Sequence, residues 1–244
     1  MPQMSPGYRH FHDDLAALTQ QLLDMSERAE SLVHLAMEAV LERDADKADA
    51  VIDADEILDR LEVEAEERAI AMLALQQPMA RDLRFLVGAI KVSSDLERVG
   101  DHAVNIAEAT VRLAALRGPA PALPALPEMA RRARAMLSDA LDAFIREDGT
   151  LGRAVGKADD EVDALHGAIY RRLSADMTAD PRLIPVALEL LLVSRNLERI
   201  ADLATNIGEN AVYLAEGKQI RHRYDLPHDD HPMPHTPLPP SDPS

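Results

Sequence analysis

Apolar residues recur every three or four positions along most of the chain, and this spacing is that of one face of an α-helix. The first such segment, about 11–41, carries the pattern on Leu15, Leu18, Leu22, Met25, Ala29, Leu32, Leu35 and Ala36. Similar patterns cover about 47–76, 81–116, 128–146, 151–177 and 181–215. The chain is therefore predicted to form six helices in an all-α fold.

Proline marks the ends of several of these segments. Pro78 closes the second helix, and Asp180 with Pro181 is the expected N-cap and first position of the sixth. The stretch LRGPAPALPALP cannot continue a helix, and the Pro-, Asp- and His-rich end has little to bury. The predicted divisions are a first bundle at 8–116, a linker at 117–127, a second bundle at 128–222 and a disordered tail at 223–244.

One stretch of the sequence occurs twice. LERVGDHAVNIAE begins at Leu96 and LERIADLATNIGE at Leu197, an offset of 101 positions with eight of thirteen residues identical. The second and fifth helices also match, at an offset of 104. Helices of this length must pair lengthwise to bury their apolar faces. The repeat thus predicts two tandem three-helix bundles related by internal pseudo-symmetry.

Within the repeat, apolar and acidic positions separate onto different faces. The apolar positions are spaced four, three, four, three, which is typical of the buried seam of a bundle helix. They are Val92, Leu96, Val99, Ala103 and Ile106, and again Val193, Leu197, Ile200, Ala204 and Ile207. Glu97, Asp101 and Asn105 follow every fourth position away from that seam. Core packing does not explain why these oxygen-bearing residues are repeated.

The second and fifth helices carry acids of their own beside the seam. If each lies antiparallel to the helix that follows, two acidic stripes converge, and a multivalent cation would relieve their repulsion. We therefore predict two carboxylate-rich metal sites. The candidate ligands are Asp55, Asp59, Glu97, Asp101 and Asn105 in the first bundle and Asp159, Asp163, Glu198, Asp202 and Asn206 in the second.

The metal's identity stays open at this point. Oxygen ligands favour Mg²⁺, Mn²⁺ or iron, whereas His166 or His102 would favour zinc or iron. His102 aligns with Leu203, so we interpret it as solvent-facing or as a neighbour of the ligands rather than a repeated ligand. Arg98 and Arg199 are interpreted either as surface ion-pair partners of acids on a neighbouring helix or as groups that bind an anion or a partner. Acids on an outward helix face are also an ordinary feature of soluble helices.

Composition narrows the class of protein. The 244 residues contain no Cys, and this excludes thiolate metal sites. The formal net charge is -17, which disfavours nucleic acid as a partner. No apolar run reaches the roughly 18 residues of a membrane span, and the N-terminus lacks a secretory pattern. The expectation is a cytoplasmic protein, or one peripheral at the inner face of the membrane.

These motifs resemble those of the PhoU family of phosphate-transport accessory and regulatory proteins. The resemblance is carried by DLERVGDHAVNIAE, NLERIADLATNIGENAVYLAEG, QQPMARDLRFL, DEILDRL and DEVDALH, and it runs from about 11 to 222. It implies two tandem three-helix bundles, often in a homodimer. It also implies multinuclear metal, iron or zinc with Mg or Mn as possible substitutes, held by the ExxxD motifs Glu97/Asp101 and Glu198/Asp202 with the facing Asp55, Asp59, Asp159 and Asp163.

The resemblance further implies a regulator rather than an enzyme. Such a protein would act between the ATPase subunit of the phosphate ABC transporter and a sensor histidine kinase of a two-component system, restraining uptake and keeping phosphate-starvation genes off. The two copies of the motif differ at two positions, because the second has Ala201 and Leu203 where the first has Gly100 and His102. The two predicted sites are therefore not identical.

Two other functions stay open on the residues alone. A carboxylate-bridged metalloenzyme, either a phosphohydrolase or a di-iron protein, would use similar residue types. Di-iron bundles, however, place their ligands in the core. A metal-free helical scaffold would use the acids only for solubility.

Overall fold

The computed structural model describes residues 6–116 and 121–220, and these residues form six α-helices. Part of the predicted linker and all of the predicted tail at 223–244 lie outside the described residues. The helices are α1 Pro6–Glu42, α2 Ala45–Gln76, α3 Ala80–Ala115, α4 Ala125–Arg146, α5 Gly149–Ala179 and α6 Ile184–Glu216, the last preceded by a 3-10 turn at Pro181–Leu183. The described part of the chain contains no strand, as predicted.

Side-chain caps begin the helices at related positions in the two halves. The Asp44 carboxylate accepts hydrogen bonds from the backbone N–H groups of Asp46 and Lys47. Asp148, at the offset of 104, does the same for α5. Each cap satisfies donors that a helix N-terminus otherwise leaves unpaired. The repeat therefore includes the start of the second helix of each bundle.

The starts of α6 and α4 differ from their predicted positions. Asp180 is a cap as predicted and accepts from the backbone N–H of Arg182, but the chain first makes a 3-10 turn before α6. The α4 helix begins at Ala125, earlier than the prediction of 128. Leu126 is buried against the core. The prolines predicted that the linker extends to residue 127, but the burial of Leu126 favours helix from residue 125 onward.

The six helices form two bundles and two layers. The first three helices pack on one another, as do the last three, which confirms the predicted fold. Across the bundles, α3 contacts α6 and α1 contacts α4. The neighbour order α2, α3, α6, α5 therefore makes a four-helix layer, and α1 and α4 cover one side of it. No helix among the described residues has the length and apolarity that a bilayer crossing requires.

The predicted seams lie in the core. All ten seam positions of α3 and α6 have side chains with no exposed surface. Leu35 was predicted to be part of the apolar face of α1, yet it is 40% exposed. Because 3.6 residues per turn make the apolar stripe drift, Ala36 rather than Leu35 continues the buried face.

Candidate functional site

The carboxylates of α2 and α3 converge in the first bundle. Asp55, Asp59 and Glu62 come from α2, and Glu97 and Asp101 come from α3. The negative charges on the other four acids all act on Glu97 and help to raise its pKa. The two helices are therefore antiparallel and in a register that brings both stripes to one groove, as the sequence predicted. We call these five residues the first acidic cluster.

Asp55 is the most buried member of this cluster, with 9% of its surface exposed. Its Oδ1 atom is buried and has no hydrogen-bond partner. A Cβ built on Gly100 would lie 2.3 Å from that oxygen, so the carboxylate occupies the space that the glycine leaves free. Gly100 was recognised in the sequence only as a departure between the repeats, and the structure shows that it makes room for Asp55.

Burial and like charge both raise pKa values in this cluster. Burial, then the charges of Asp59 and Asp101, raise the pKa of Asp55 to about 6. Burial is also the largest cause for Glu97, whose pKa is raised to about 7. The pKa of Glu62 is raised by burial and by Glu66 and Asp59. Near neutral pH the cluster therefore holds protons that it would release to a bound cation.

The second bundle repeats this arrangement in the groove between α5 and α6. We call Asp159, Asp163, Glu198 and Asp202 the second acidic cluster. Burial, then Asp163, Asp202 and Glu198, raise the pKa of Asp159 to about 7. Its Oδ1 atom is buried without a hydrogen-bond partner, as is that of Asp55. An unsatisfied buried carboxylate oxygen thus recurs at the repeated position.

The predicted ligands Asn105 and Asn206 are not part of either charged group. Each lies one helical turn after the last acid of its stripe, and Asn105 is exposed. Among the described residues neither side-chain amide hydrogen-bonds a carboxylate of a cluster. The structure therefore brings together eight of the ten predicted ligands in two groups of four and leaves the two asparagines beside them.

The two clusters differ in their neighbours. Arg199 pairs with Asp202 at 2.9 Å and approaches Glu198 at 3.8 Å, so it forms ion pairs within α6 rather than with the acids of a neighbouring helix that the sequence predicted. The corresponding Arg98 is exposed and makes no ion pair with any described residue. The groove between α5 and α6 thus has an arginine side chain paired with its carboxylates, and the groove between α2 and α3 has none among the described residues.

Two residues near the clusters were left out of the predicted ligand set. Glu62 belongs to the first cluster, and the offset of 104 places His166 at its position in α5. His166 Nδ1 lies 2.8 Å from the Oγ of Ser194. Both residues lie beside the apolar seam of their helices in the sequence, and His166 was already considered there as a group that would favour zinc or iron.

His102 contacts the second bundle. Its Nδ1 lies 2.9 Å from Oδ1 of Asn196, so it joins α3 to α6 across the bundles. His102 is half-buried, and its contact with Asn196 is one that the sequence did not predict.

The donor chemistry of the clusters fits a hard or borderline cation, since each consists of carboxylates and contains one buried oxygen without a hydrogen-bond partner. Within residues 6–116 and 121–220, however, no three His, Asp or Glu side chains are placed to hold one metal ion together. Binding would require the carboxylates to rotate toward a common centre.

Comparison with known proteins is consistent across sequence and structure. A family model described as the PhoU domain matches residues 22–110 and 126–211, one match in each bundle. An accessory protein homologue of phosphate-specific transport from Clostridium acetobutylicum is 36% identical over 86% of this chain and 96% of its own. One from Caulobacter vibrioides is 39% identical over 87% and 92%.

Two solved structures share the fold. The crystal structure of PhoU from Pseudomonas aeruginosa superposes with a TM-score of 0.81 at 33% identity, covering 85% of this chain and 100% of that one. The phosphate transport system regulatory protein from Streptococcus pneumoniae gives 0.79 at 29% identity, covering 86% and 98%.

Proposed function

Because this chain belongs to the PhoU family, we propose that it is a negative regulator of phosphate uptake and of the phosphate-starvation genes. It acts as an adaptor between the ATPase subunit of a phosphate ABC transporter and a sensor histidine kinase. The observation that carries this proposal is the match of both bundles, over nearly the whole length of relatives named as accessory proteins of phosphate-specific transport.

The residues of the chain support a binding role over a catalytic one. The sequence has no Gly-rich nucleotide loop. Within residues 6–116 and 121–220, no hydrogen bond joins an exposed nucleophile to a histidine base. Ser194 lies 2.8 Å from His166, but Ser194 has no exposed surface and cannot meet a substrate. The relatives' names describe accessory and regulatory proteins rather than enzymes.

We also propose that the two acidic clusters bind metal ions, with iron, zinc, manganese and magnesium as candidates. Asp55, Asp59, Glu97 and Asp101 would hold one centre, and Asp159, Asp163, Glu198 and Asp202 the other. Bound cations would neutralise carboxylates that now repel one another, and would satisfy the two buried Oδ1 atoms. A bound cation would act electrostatically, by making the surface formed by α2, α3, α6 and α5 less negative.

The regulatory proposal is tested by deletion in the native host with a phosphate-starvation reporter. In abundant phosphate we expect the reporter to rise in the deletion strain and to return to the basal level when the chain is supplied from a plasmid. A reporter that stays repressed in the deletion strain contradicts the regulatory proposal, whatever the chain binds.

The metal proposal is tested by elemental analysis of protein that ends at residue 223, purified without an affinity tag or chelator. Removing the tail eliminates nonspecific binding by His228, His231 and His235. We expect stoichiometric metal in this protein and its loss in Asp101→Ala/Asp202→Ala.

The matched control for the metal test is Asp13→Ala/Asp139→Ala, which removes one exposed acid from α1 and one from α4 on the other layer. This variant is expected to retain its metal. If the unsubstituted protein stays metal-free after incubation with Mn²⁺, Fe²⁺ or Zn²⁺, the clusters are not metal sites, and the regulatory proposal is unaffected.

A further inference from the structure

The two acidic clusters differ in the chemistry of one repeated position. The offset of 104 pairs Glu62 of α2 with His166 of α5. Glu62 lies in the groove between α2 and α3, because its negative charge helps to raise the pKa of Glu97. His166 follows Asp159 by seven residues and Asp163 by three, so the three side chains lie on one face of α5. The first bundle thus has a carboxylate where the second has an imidazole.

The half-buried ring of His166 lies between α5 and α6. Its Nδ1 is 2.8 Å from Oγ of Ser194 on α6. Glu198 follows Ser194 by four residues, so it lies one turn away on the same face of α6. Asp163 is exposed and makes no hydrogen bond or ion pair with a described residue, so it can rotate toward the ring. His166 therefore lies at the end of the groove where Asp163 and Glu198 also lie.

Ser194 determines which nitrogen of this imidazole is free to bind a cation. Its Oγ donates the hydroxyl hydrogen to Sδ of Met129 at 3.5 Å, and both residues have no exposed surface. The oxygen then accepts the hydrogen of His166 Nδ1, since a hydroxyl has no second hydrogen to give. Nε2 keeps its lone pair and makes no hydrogen bond with a described residue. A neutral imidazole whose other nitrogen donates a hydrogen bond is the form that ligates metal ions.

The matching serine of the first bundle makes a different contact. Ser93, at the offset of 101 from Ser194, is buried and donates its hydroxyl hydrogen to the backbone oxygen of Ile90 at 3.0 Å. Glu62 makes no hydrogen bond with a described residue. The contact between Ser194 and α5 therefore accompanies the histidine and is not a feature of both repeats.

The clusters also differ in how much of their negative charge is already paired. None of the five carboxylates of the first acidic cluster pairs with an arginine among the described residues. In the second, Arg199 lies 2.9 Å from Asp202 and 3.8 Å from Glu198. An arginine so placed offsets part of the charge that would attract a cation. The groove between α5 and α6 therefore depends less on charge, and more on the type of donor atom, than the groove between α2 and α3.

From these features we infer that the two grooves bind different cations and that His166 makes them differ. The groove between α5 and α6 binds a borderline ion such as Zn²⁺, with Nε2 of His166 as a ligand beside the carboxylates of the second acidic cluster. The groove between α2 and α3 offers only oxygen and binds a hard ion such as Mn²⁺. Imidazole suits zinc, whereas carboxylate suits manganese and magnesium. The inference rests on the metal proposal above and adds the selectivity of each site and the residue that sets it.

Competition between metals measures the selectivity of each groove in the full-length protein. Asp101→Ala leaves only the second acidic cluster intact, and Asp202→Ala only the first. Each protein is stripped with chelator, incubated with Zn²⁺ and an excess of Mn²⁺, and freed of unbound ions before elemental analysis. The double variant gives the metal held elsewhere, including by the tail, and this amount is subtracted.

The quantity compared is the ratio of zinc to manganese in the two grooves, since zinc outcompetes manganese at most protein sites. We expect this ratio to be at least tenfold higher in Asp101→Ala than in Asp202→Ala.

Exchanging the two residues tests whether His166 is the cause. Where only the second acidic cluster is intact, His166→Glu should lower the zinc-to-manganese ratio at least tenfold. Where only the first is intact, Glu62→His should raise it. His34→Glu is the matched control, because His34 is an exposed residue of α1 in the other layer, and it should leave both ratios unchanged. Circular dichroism confirms that each variant is folded.

Nitrogen-15 NMR of the imidazole provides a readout that needs no substitution in the groove. In the metal-free protein the ring of His166, assigned by its absence in His166→Gln, should carry its proton on Nδ1, and zinc should shift the Nε2 resonance. Ser194→Ala should weaken zinc binding about ten- to a hundredfold and leave manganese binding unchanged, since Ser194 acts only through the imidazole. An Nε2 resonance that zinc does not move would overturn the inference.

Failure of this inference is distinct from failure of the metal proposal. If both grooves bind metal with equal zinc-to-manganese ratios, if only one groove binds metal, or if His166→Glu leaves the ratio unchanged, the inference is wrong while the chain still binds metal. If neither groove holds more of either ion than the double variant does, the metal proposal is wrong and the inference fails with it. The regulatory proposal is tested by the deletion strain and is unaffected by any of these results.

Discussion

Gly100 determines how deeply the first acidic cluster can be buried. A methyl group there would lie 2.3 Å from Oδ1 of Asp55 and 2.7 Å from Cδ2 of Leu58. In the second bundle Ala201 occupies the equivalent position, and Asp159 is less buried than Asp55. Gly100 therefore leaves room for Asp55 that a methyl group at the same position would fill.

We predict that Gly100→Ala destabilises the protein by about 1 to 3 kcal/mol, the usual cost of overpacking a tight site. Urea denaturation measures the change. Gly167→Ala is the control, because only a flexible Arg171 side chain lies near its added methyl group. That substitution should stabilise α5 by up to about 1 kcal/mol. Equal effects of the two substitutions would contradict this account of Gly100.

The raised pKa values predict a dependence of stability on pH. The pKa of Asp55 is about 6, and those of Glu97 and Asp159 are about 7, whereas an unfolded carboxyl group titrates near roughly pH 4. Between these values the folded protein binds more protons than the unfolded chain. The free energy of unfolding contributed by these groups therefore falls as pH rises from about 4 to 7.

Chelator-treated Asp55→Asn/Asp159→Asn is accordingly expected to lose less stability than the wild type between pH 5 and pH 8. Urea titrations at both values measure this difference. Asp13→Asn/Asp139→Asn should follow the wild type, since these exposed acids are outside both clusters. A double variant in the clusters with an unchanged pH dependence would show that the carboxyl groups are not perturbed by folding.

At the level of whole helices, the two bundles are packed differently. A Cβ on Gly152 of α5 would lie 2.5 Å from the backbone oxygen of Gly208 in α6, so these two helices cross in backbone contact. The first bundle has Ala48 and Ala107 at the same positions, both fully buried. Gly152 and Gly208 thus allow α5 and α6 to approach each other more closely than alanine at these positions would permit.

We expect Gly152→Ala to destabilise the protein by about 1 to 3 kcal/mol, and by at least as much as Gly100→Ala, because a backbone cannot move aside as a side chain does. Chemical denaturation compares the two. Ala48→Gly, at the matching position of α2, should cost about 1 to 2 kcal/mol, through lower helix propensity and the loss of one buried methyl group. Unchanged stability in Gly152→Ala would mean that α5 and α6 are not in backbone contact.

At the scale of the whole molecule, the bundles share a long interface. The contacts of α3 with α6 and of α1 with α4 join the two halves into one layered unit. Two predicted domains would unfold separately if each core were sufficient alone. The side of α3 that α6 covers would instead be exposed in an isolated first half.

The chain is therefore expected to unfold in one calorimetric transition, with equal calorimetric and van't Hoff enthalpies. A fragment of residues 1–116 should associate with itself, because it exposes the surface of α3 that normally meets α6. Differential scanning calorimetry and analytical ultracentrifugation measure these properties. Two separate transitions, together with a monomeric fragment, would show that the bundles are independent domains.

The sequence by itself determined the helices, the duplication and which residues carry the carboxylates. Helix periodicity is local, and the ten seam residues were identified correctly because burial on one face constrains every third or fourth position. The acids of α2 could also be matched to those of α3, since a short connection between long helices leaves an antiparallel pair as the ordinary outcome.

Only the tertiary structure decided what lies between the repeats. His102 lies at the contact between bundles and Gly100 makes room for Asp55, and neither role follows from helical spacing. The registers of α3 on α6 and of α5 on α6 depend on side-chain volumes from distant parts of the chain.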